Sequence, residues 1–198
     1  PTPLTYFALH HWDLSAAIMV TGSHNPSEFN GFKMCLGKDS FYGSDIQALR
    51  ERIEAGRDRP SGSIGSIREQ AVIPEYLSVV GRTLKPGRFP KKVVLDAGNG
   101  TAGNVAPALF RAMGAEVIEL YCELDGTFPN HHPDPTVVSN LKDLVETVRR
   151  ERADFGIGFD GDSDRVGLVD GNGRVIYGDE ILVILSREVL SRKPGATV

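Results

Sequence analysis

The chain has 198 residues and carries 22 Lys and Arg against 26 Asp and Glu, a formal net charge of −4. Hydrophobic residues at 40% and charged residues at 24% exclude a fibrous or disordered chain and suit one large globular domain or two small ones. No run approaches ~20 apolar residues, which excludes a helical membrane span, and the mild acidity argues against a nucleic-acid binder.

The chain opens at Pro1, without a methionine or a signal peptide, in an amphipathic stretch (Leu4, Phe7, Ala8, His11) that predicts a first helix. His10 and His11 fall at its end, where they cap it or face solvent, and Trp12 reads as core or interface. The apolar run 16–20 predicts a buried strand, and 31–36 a second. Ser44 is expected to cap a helix through about Ala55, with Gln47 completing a capping box and Gly56 as its stop. Residues 56–70 (GRDRPSGSIGSIREQ) are the linker candidate. A helix near 74–84 follows, then a break at Lys85-Pro86-Gly87.

Beyond the break the pattern is cleaner. Val93-Val94-Leu95 reads as a strand, 103–113 as a helix ended by Gly114, and 116–121 as a strand. A long loop, 122–138, leads to a Ser139-capped helix through about Arg150, then to a strand over 154–159. This β-α-β-α-β series predicts a parallel or mixed sheet covered by helices. Segments 166–169 and 174–177 flank Asp170-Gly171-Asn172-Gly173 as a hairpin, and a last helix runs over about 179–192. Arg149, Arg150 and Arg152 suit a solvated helix end. Cys35 and Cys122 make neither a disulfide framework nor a zinc site and suggest a reducing compartment, hence the cytoplasm. The closing residues 193–198 read as a helix stop and the first residues of a new strand, so both ends look cut.

Three constellations carry chemistry. In Thr21-Gly22-Ser23-His24-Asn25-Pro26, Gly22 frees the backbone and Pro26 forces Asn25 away from helix. Ser23 is so presented as a nucleophile, with His24 or Lys33 to handle its proton. The competing reading is a polar turn, and the absence of Gly-x-Ser-x-Gly disfavours a serine hydrolase.

Asp160-Gly161-Asp162-Ser163-Asp164-Arg165 follows a strand and offers alternating carboxylates to one hard cation. An EF-hand fails, because position 6 would be Arg165 and position 12 Gly171. Mg²⁺ near a phosphate, with Arg165 holding further oxygens, fits better.

Gly98-Asn99-Gly100-Thr101-Ala102-Gly103 matches G-x-G-x-x-G, and Glu123 lies ~20 residues beyond it as a ribose-binding acid would. A dinucleotide-binding domain is therefore the rival reading. Asp96, at the strand's end, speaks against it by repelling a pyrophosphate. In Asn130-His131-His132-Pro133-Asp134-Pro135 the adjacent histidines are ill placed to share an ion, which favours a rigid structural loop.

The first two motifs, with Phe29-Asn30-Gly31-Phe32-Lys33 between them, closely resemble those of the α-D-phosphohexomutases, and the loop 125–135 is most like that of bacterial phosphomannomutase/phosphoglucomutase. The resemblance covers essentially the whole chain; one departure is Ser163, where many members carry Gly. It implies an α/β fold of mixed sheets covered by helices. Residues 1–70 would be the latter part of a first domain, 71–170 a complete second domain, and 171–198 the start of a third.

It further implies that Ser23 is a phosphoserine and that Mg²⁺ sits between it and Asp160, Asp162 and Asp164. Lys33 would be the general acid/base, with His24 the alternative or a phosphate orienter, and Arg165 and Asn25 would bind substrate. The reaction implied interconverts hexose 1-phosphate and 6-phosphate, of mannose or glucose, through a bisphosphorylated sugar. Glucose 1,6-bisphosphate or mannose 1,6-bisphosphate would be the activator. The sugar-selecting residues of such enzymes lie in domains outside this chain, so the isolated chain is expected to have negligible turnover.

Overall fold

The structure, a computed structural model, describes residues 1–26, 28–57, 62, 65–84 and 91–198. Much of the linker candidate and the break at Lys85-Pro86-Gly87 lie outside the described residues. Two sheets organise the rest. A helix, α1 (Thr2–His11), precedes a three-stranded antiparallel sheet of β1 (Ala16–Val20), β2 (Phe32–Leu36) and β3 (Asp39–Phe41), in that order. Helices α2 (Ser44–Glu54) and α3 (Ile73–Leu84) follow.

The second sheet has five strands in the order β5-β4-β6-β7-β8, namely β4 (Lys92–Asp96), β5 (Glu116–Leu120), β6 (Phe155–Phe159), β7 (Val166–Asp170) and β8 (Val175–Ile176). Its centre, β5-β4-β6, is parallel, while β7 and β8 are antiparallel additions, so the sheet is mixed. Helices α4 (Ala106–Ala112) and α5 (Lys142–Glu151) are the crossovers, and α6 (Gly178–Arg192) closes the chain.

Period-two alternation in β4 explains the core. Val94 faces Leu144 and Val148 of α5, while Val93 and Leu95 face Ala106 of α4. Both faces are covered, so the strand is an unbroken apolar run. Each such buried side chain contributes about 1.5–3 kcal/mol. Gly156 in β6 lets α5 approach: a Cβ there would lie 2.7 Å from Leu144 Cδ1 and Val148 Cγ2.

Four local expectations are corrected. Ser44 is the first helical residue rather than the cap; Gly43 takes the cap position with φ +59° and ψ −120°, and no side chain bonds there, so Gln47 completes no capping box. Ser139 lies inside a 3-10 turn, Val138–Leu141, that feeds α5 through Leu141. The helix expected over 103–113 is a 3-10 turn, Thr101–Asn104, broken at Val105 before α4 restarts with Pro107 in its first turn. Arg149 is not merely solvated: its guanidinium donates to the carbonyls of Asn172 and Gly173 and ties α5 to the β7–β8 hairpin.

Candidate functional site

The loop joining β1 to β2 is pinched at its base. A Cβ on Gly22 would stand 2.7 Å from the Phe29 carbonyl oxygen, and one on Gly31 2.9 Å from that of Thr21. The pinch lifts Ser23 into the left-handed region, φ +52°, which costs an L-residue roughly 1–2 kcal/mol. Local bonds hold it there: Ser23 N–H donates to Thr21 Oγ1 at 2.8 Å, and Asn25 N–H to the Gly22 carbonyl at 2.8 Å. Backbone strain of this kind is stored at functional loops.

The second loop leaves the carboxyl end of β6, where open α/β sheets hold their ligands. Asp160 and Asp162 are fully buried there, and Asp164 is exposed. Asp160 Oδ1 accepts the backbone N–H groups of Asp164 and Arg165, each at 2.9 Å. Asp162 Oδ2 accepts Thr2 Oγ1–H at 2.6 Å and Lys33 Nζ–H at 2.5 Å; Lys33 also reaches Asp164 at 2.5 Å. Ser23 Oγ lies 3.0 Å from Asp160 Oδ2 and 2.9 Å from Asp162 Oδ1, so the two loops meet at one hydroxyl.

The charges are strongly perturbed. Burial beside a second carboxylate pushes Asp160 up. Burial acts the same way on Asp162, but the donors Lys33, Thr2 and Ser23 outweigh it and hold that group far below the usual carboxylate range. Partial burial opposes the Lys33 ammonium, yet its bonds to Asp162 and Asp164 prevail and its pKa rises. One oxygen from each of Asp160, Asp162 and Asp164 lies within 4.8 Å of the others. With the Ser23 hydroxyl this is an all-oxygen donor set, which suits Mg²⁺, and burying two carboxylates side by side is costly unless a cation offsets them. The residues therefore fit the metal.

Arg165 and His24 complete the centre. Arg165 donates to Asp160 Oδ2 at 3.1 Å and to Ser23 Oγ at 3.4 Å, and its other side faces Asp134 Oδ1 at 3.6 Å. It also bonds His24 Nδ1, which lies 3.1 Å from Ser23 Oγ. Asn25 is exposed and lines a cleft of about 210 Å³ with Ser23, Asn30, Thr101 and Gly126. Sequence reasoning missed three residues here. Thr2 anchors Asp162 from 160 positions away, with its backbone N–H on the Asp162 carbonyl as well. Asp134 faces Arg165, and Thr101 bonds the metal loop. Thr2 carries no local signal, while Thr101 and Asp134 stand inside motifs read for other roles, a dinucleotide turn and a rigid loop, because the role of each is defined by a partner remote in sequence.

The third motif does not hold a dinucleotide. The N–H groups of Gly98, Asn99, Gly100 and Thr101 donate to Asp96 Oδ1 and to the carbonyls of Tyr121, Ala97 and Gly161, leaving none of these four for a pyrophosphate. His131 is not a metal ligand in a histidine pair either; Nε2 bonds the buried Asp96 at 3.0 Å. Among the described residues, the Asp160–Asp162–Asp164 group is the one cluster suited to an ion, and no helix is long and apolar enough to cross a membrane.

Residues 1–59 match the family model for phosphoglucomutase/phosphomannomutase alpha/beta/alpha domain I, and residues 74–173 that for domain II. The chain belongs to the phosphoglucomutase/phosphomannomutase family. It is 47% identical over 198 residues to a phosphomannomutase/phosphoglucomutase of Pseudomonas aeruginosa, covering 100% of this chain and 42% of that protein. It is 43% identical over 197 residues to a phosphoglucomutase of Neisseria meningitidis, again covering 100% of this chain and 43% of the relative. A crystal structure of a family protein from Burkholderia thailandensis superposes with a TM-score of 0.91 at 44% identity, over 99% of this chain and 44% of that one. The chain thus spans less than half the length of these relatives, and the family's mixed α/β fold is the one observed.

Proposed function

We propose that the protein is a phosphohexomutase that interconverts hexose 1-phosphates and 6-phosphates, of mannose and glucose, with Ser23 as the phosphoryl carrier. One observation carries the reading: a hydroxyl in a strained loop lies 2.9 and 3.0 Å from two buried carboxylates. A bare serine needs no such cage. The phosphoserine form carries about −1.5 to −2 charge and calls for a cation, which Asp160, Asp162 and Asp164 would hold.

In the first half-reaction the P–Oγ bond of phospho-Ser23 breaks and a P–O bond forms to a sugar hydroxyl. That hydroxyl's proton passes to a base, giving a bisphosphorylated sugar and free Ser23. In the second half the other phosphoryl group returns to Ser23 Oγ, and the proton goes back to the departing sugar oxygen. Lys33, kept as an ammonium by two carboxylates, supplies charge and a proton to the leaving oxygen. His24, whose Nδ1 lies 3.1 Å from Ser23 Oγ, is the alternative group for the proton or an orienter of the phosphate. Arg165 orients the phosphate, since its guanidinium reaches Ser23 Oγ. Bound Mg²⁺ would offset the charge on the transferring group, and phosphoryl transfer is mostly positioning and charge stabilisation.

Glucose 1,6-bisphosphate or mannose 1,6-bisphosphate would prime Ser23. We place the boundary between the phosphoserine unit and the metal unit near residue 70, and the reaction in the cytoplasm, where the free thiols of Cys35 and Cys122 stay reduced. Intact mass tests the reading. Incubation with glucose 1,6-bisphosphate and Mg²⁺ adds one phosphoryl group to the chain, and Ser23→Ala loses it. An adduct that persists in Ser23→Ala places the phosphate elsewhere and overturns the proposal.

A further inference from the structure

The Gly98–Gly103 turn is left without a ligand by the reading above, yet it is tightly constrained. Gly98 and Asn99 both take positive φ, +51° and +61°. Asn99 is buried, and its side-chain amide donates to the Glu123 carbonyl at 2.9 Å while its side-chain oxygen accepts from Asn130 at 2.7 Å. Asp96, also buried, accepts the Gly98 N–H at 2.9 Å. The turn is thus fastened from behind by β5, the 122–130 loop and its own strand.

Its front face meets the metal loop. Thr101 N–H donates to the Gly161 carbonyl at 2.9 Å and Thr101 Oγ1–H to the same oxygen at 3.2 Å. With that proton committed, the 3.1 Å contact between Thr101 Oγ1 and Ser163 Oγ is made by the Ser163 proton. Gly100 presses on the same peptide: a Cβ there would lie 2.8 Å from Gly161 O and 2.9 Å from Gly161 Cα. Real Cβ atoms do not come so close to backbone, so only glycine permits the approach. Gly161 in turn packs its Cα against the Ser23 carbonyl, where a Cβ would collide. Three backbones are therefore stacked in contact: Gly100, Gly161 and Ser23.

We propose that this turn is a positioning platform for the metal centre, in which Gly100 and Thr101 act through Gly161 to set the spacing between Asp160, Asp162 and the Ser23 hydroxyl. Gly161 lies between two of the carboxylates and touches the third partner, so its peptide is the point at which one support controls all three. A ligand cage must be held to about 0.5 Å to bind well, and the loop's own bonds to Asp160 fix its curl but not its distance from Ser23. Neither residue touches the reacting atoms. The inference rests on Mg²⁺ binding at the three aspartates.

Calorimetric titration of Mg²⁺ into the full chain tests it, with melting temperatures measured on the same samples. Thr101→Val keeps the shape and the backbone bond but removes the hydroxyl; it should weaken Mg²⁺ binding about fivefold, the size of one lost neutral hydrogen bond. Thr101→Ser should restore the parent affinity to within about twofold. Gly100→Ala, which pushes the Gly161 peptide toward Ser23, should weaken binding by more than Thr101→Val. A role in stability alone would lower the melting temperature of Thr101→Val and leave its affinity below the transition unchanged, and that result overturns the inference while the metal reading stands. A parent chain that binds no Mg²⁺ overturns both.

Discussion

A half-buried histidine set against a buried aspartate makes the 125–135 loop answer to pH. His131 Nδ1 lies 3.0 Å from the His132 carbonyl and Nε2 3.0 Å from the Asp96 carboxylate. Both partners only accept, so the pair of contacts favours the doubly protonated ring. The bond to Asp96 raises the His131 pKa, and it outweighs the burial that opposes the charge; the His132 carbonyl and the more distant Asp143 act in the same direction. Tyr121 stacks edge-on against the ring and donates a hydrogen bond from its hydroxyl to Asp143, which pushes that phenol up to about 12 and keeps it neutral. A folded-state pKa above the unfolded value of about 6.5 means stability that is full below that pH and is lost as pH rises through the folded value. His131→Asn removes the charged partner of the buried Asp96 and leaves it the Gly98 N–H, and should cost about 3 kcal/mol near pH 6. Thermal melts of parent and variant should draw together as the pH is raised through the folded value; a gap that does not change with pH would sink the argument. The same loop presents Asp134 to Arg165, so the imidazolium supports the site at one remove.

Elements were legible in proportion to how locally they are caused. Strands β4 and β6 were readable as apolar runs because burial selects their residues wherever they lie in the chain; β1 forms where its apolar run placed it but is not the buried strand expected, since Ala16, Ile18 and Val20 are exposed. The hairpin of β7 and β8 announced itself through Asp170-Gly171-Asn172-Gly173, with Gly173 at φ +78°. Strand β3, Asp39-Ser40-Phe41, carries no such mark: it is a short, mostly exposed edge that exists by pairing with β2. The cap of α2 misled for a related reason. Ser44 has the right chemistry, but the chain enters the helix through Gly43 at a backbone angle that only glycine takes easily. Ser44→Ala should therefore cost less than about 0.5 kcal/mol, well short of a lost cap, whereas Gly43→Ala should cost about 1 kcal/mol or more. Chemical denaturation of the two variants ranks them, and the reverse order would restore Ser44 as the cap. The candidate site divides along the same line. Ser23 and the three aspartates stand in short motifs whose composition is costly without a function, while Thr2, Thr101 and Asp134 are ordinary residues made functional by partners 160, 60 and 31 positions away.

At the scale of the whole molecule, the charged centre is also the seam between the two sheets. Ser23 and Lys33 come from the antiparallel sheet and its loop, Thr2 from α1, and the carboxylates from the end of β6 in the mixed sheet. Bonds that would hold a phosphate and a cation are thus the bonds that join the halves. Lys33 serves as the protein's own counter-ion, 2.5 Å from both Asp162 and Asp164, and a divalent ion at the same carboxylates takes over part of that task. Mg²⁺ at about 100 times its dissociation constant should stabilise the fold by about 2.7 kcal/mol, a rise of roughly 5–10 °C in melting temperature for a chain of this size. Lys33→Gln should melt lower than the parent without Mg²⁺ and gain more from it, because the uncompensated carboxylates then depend on the ion alone. Asp162→Asn should lose the response. If Lys33→Gln gained no more than the parent, the lysine and the cation would be acting at separate places, and the two sheets would be held together by packing rather than by charge.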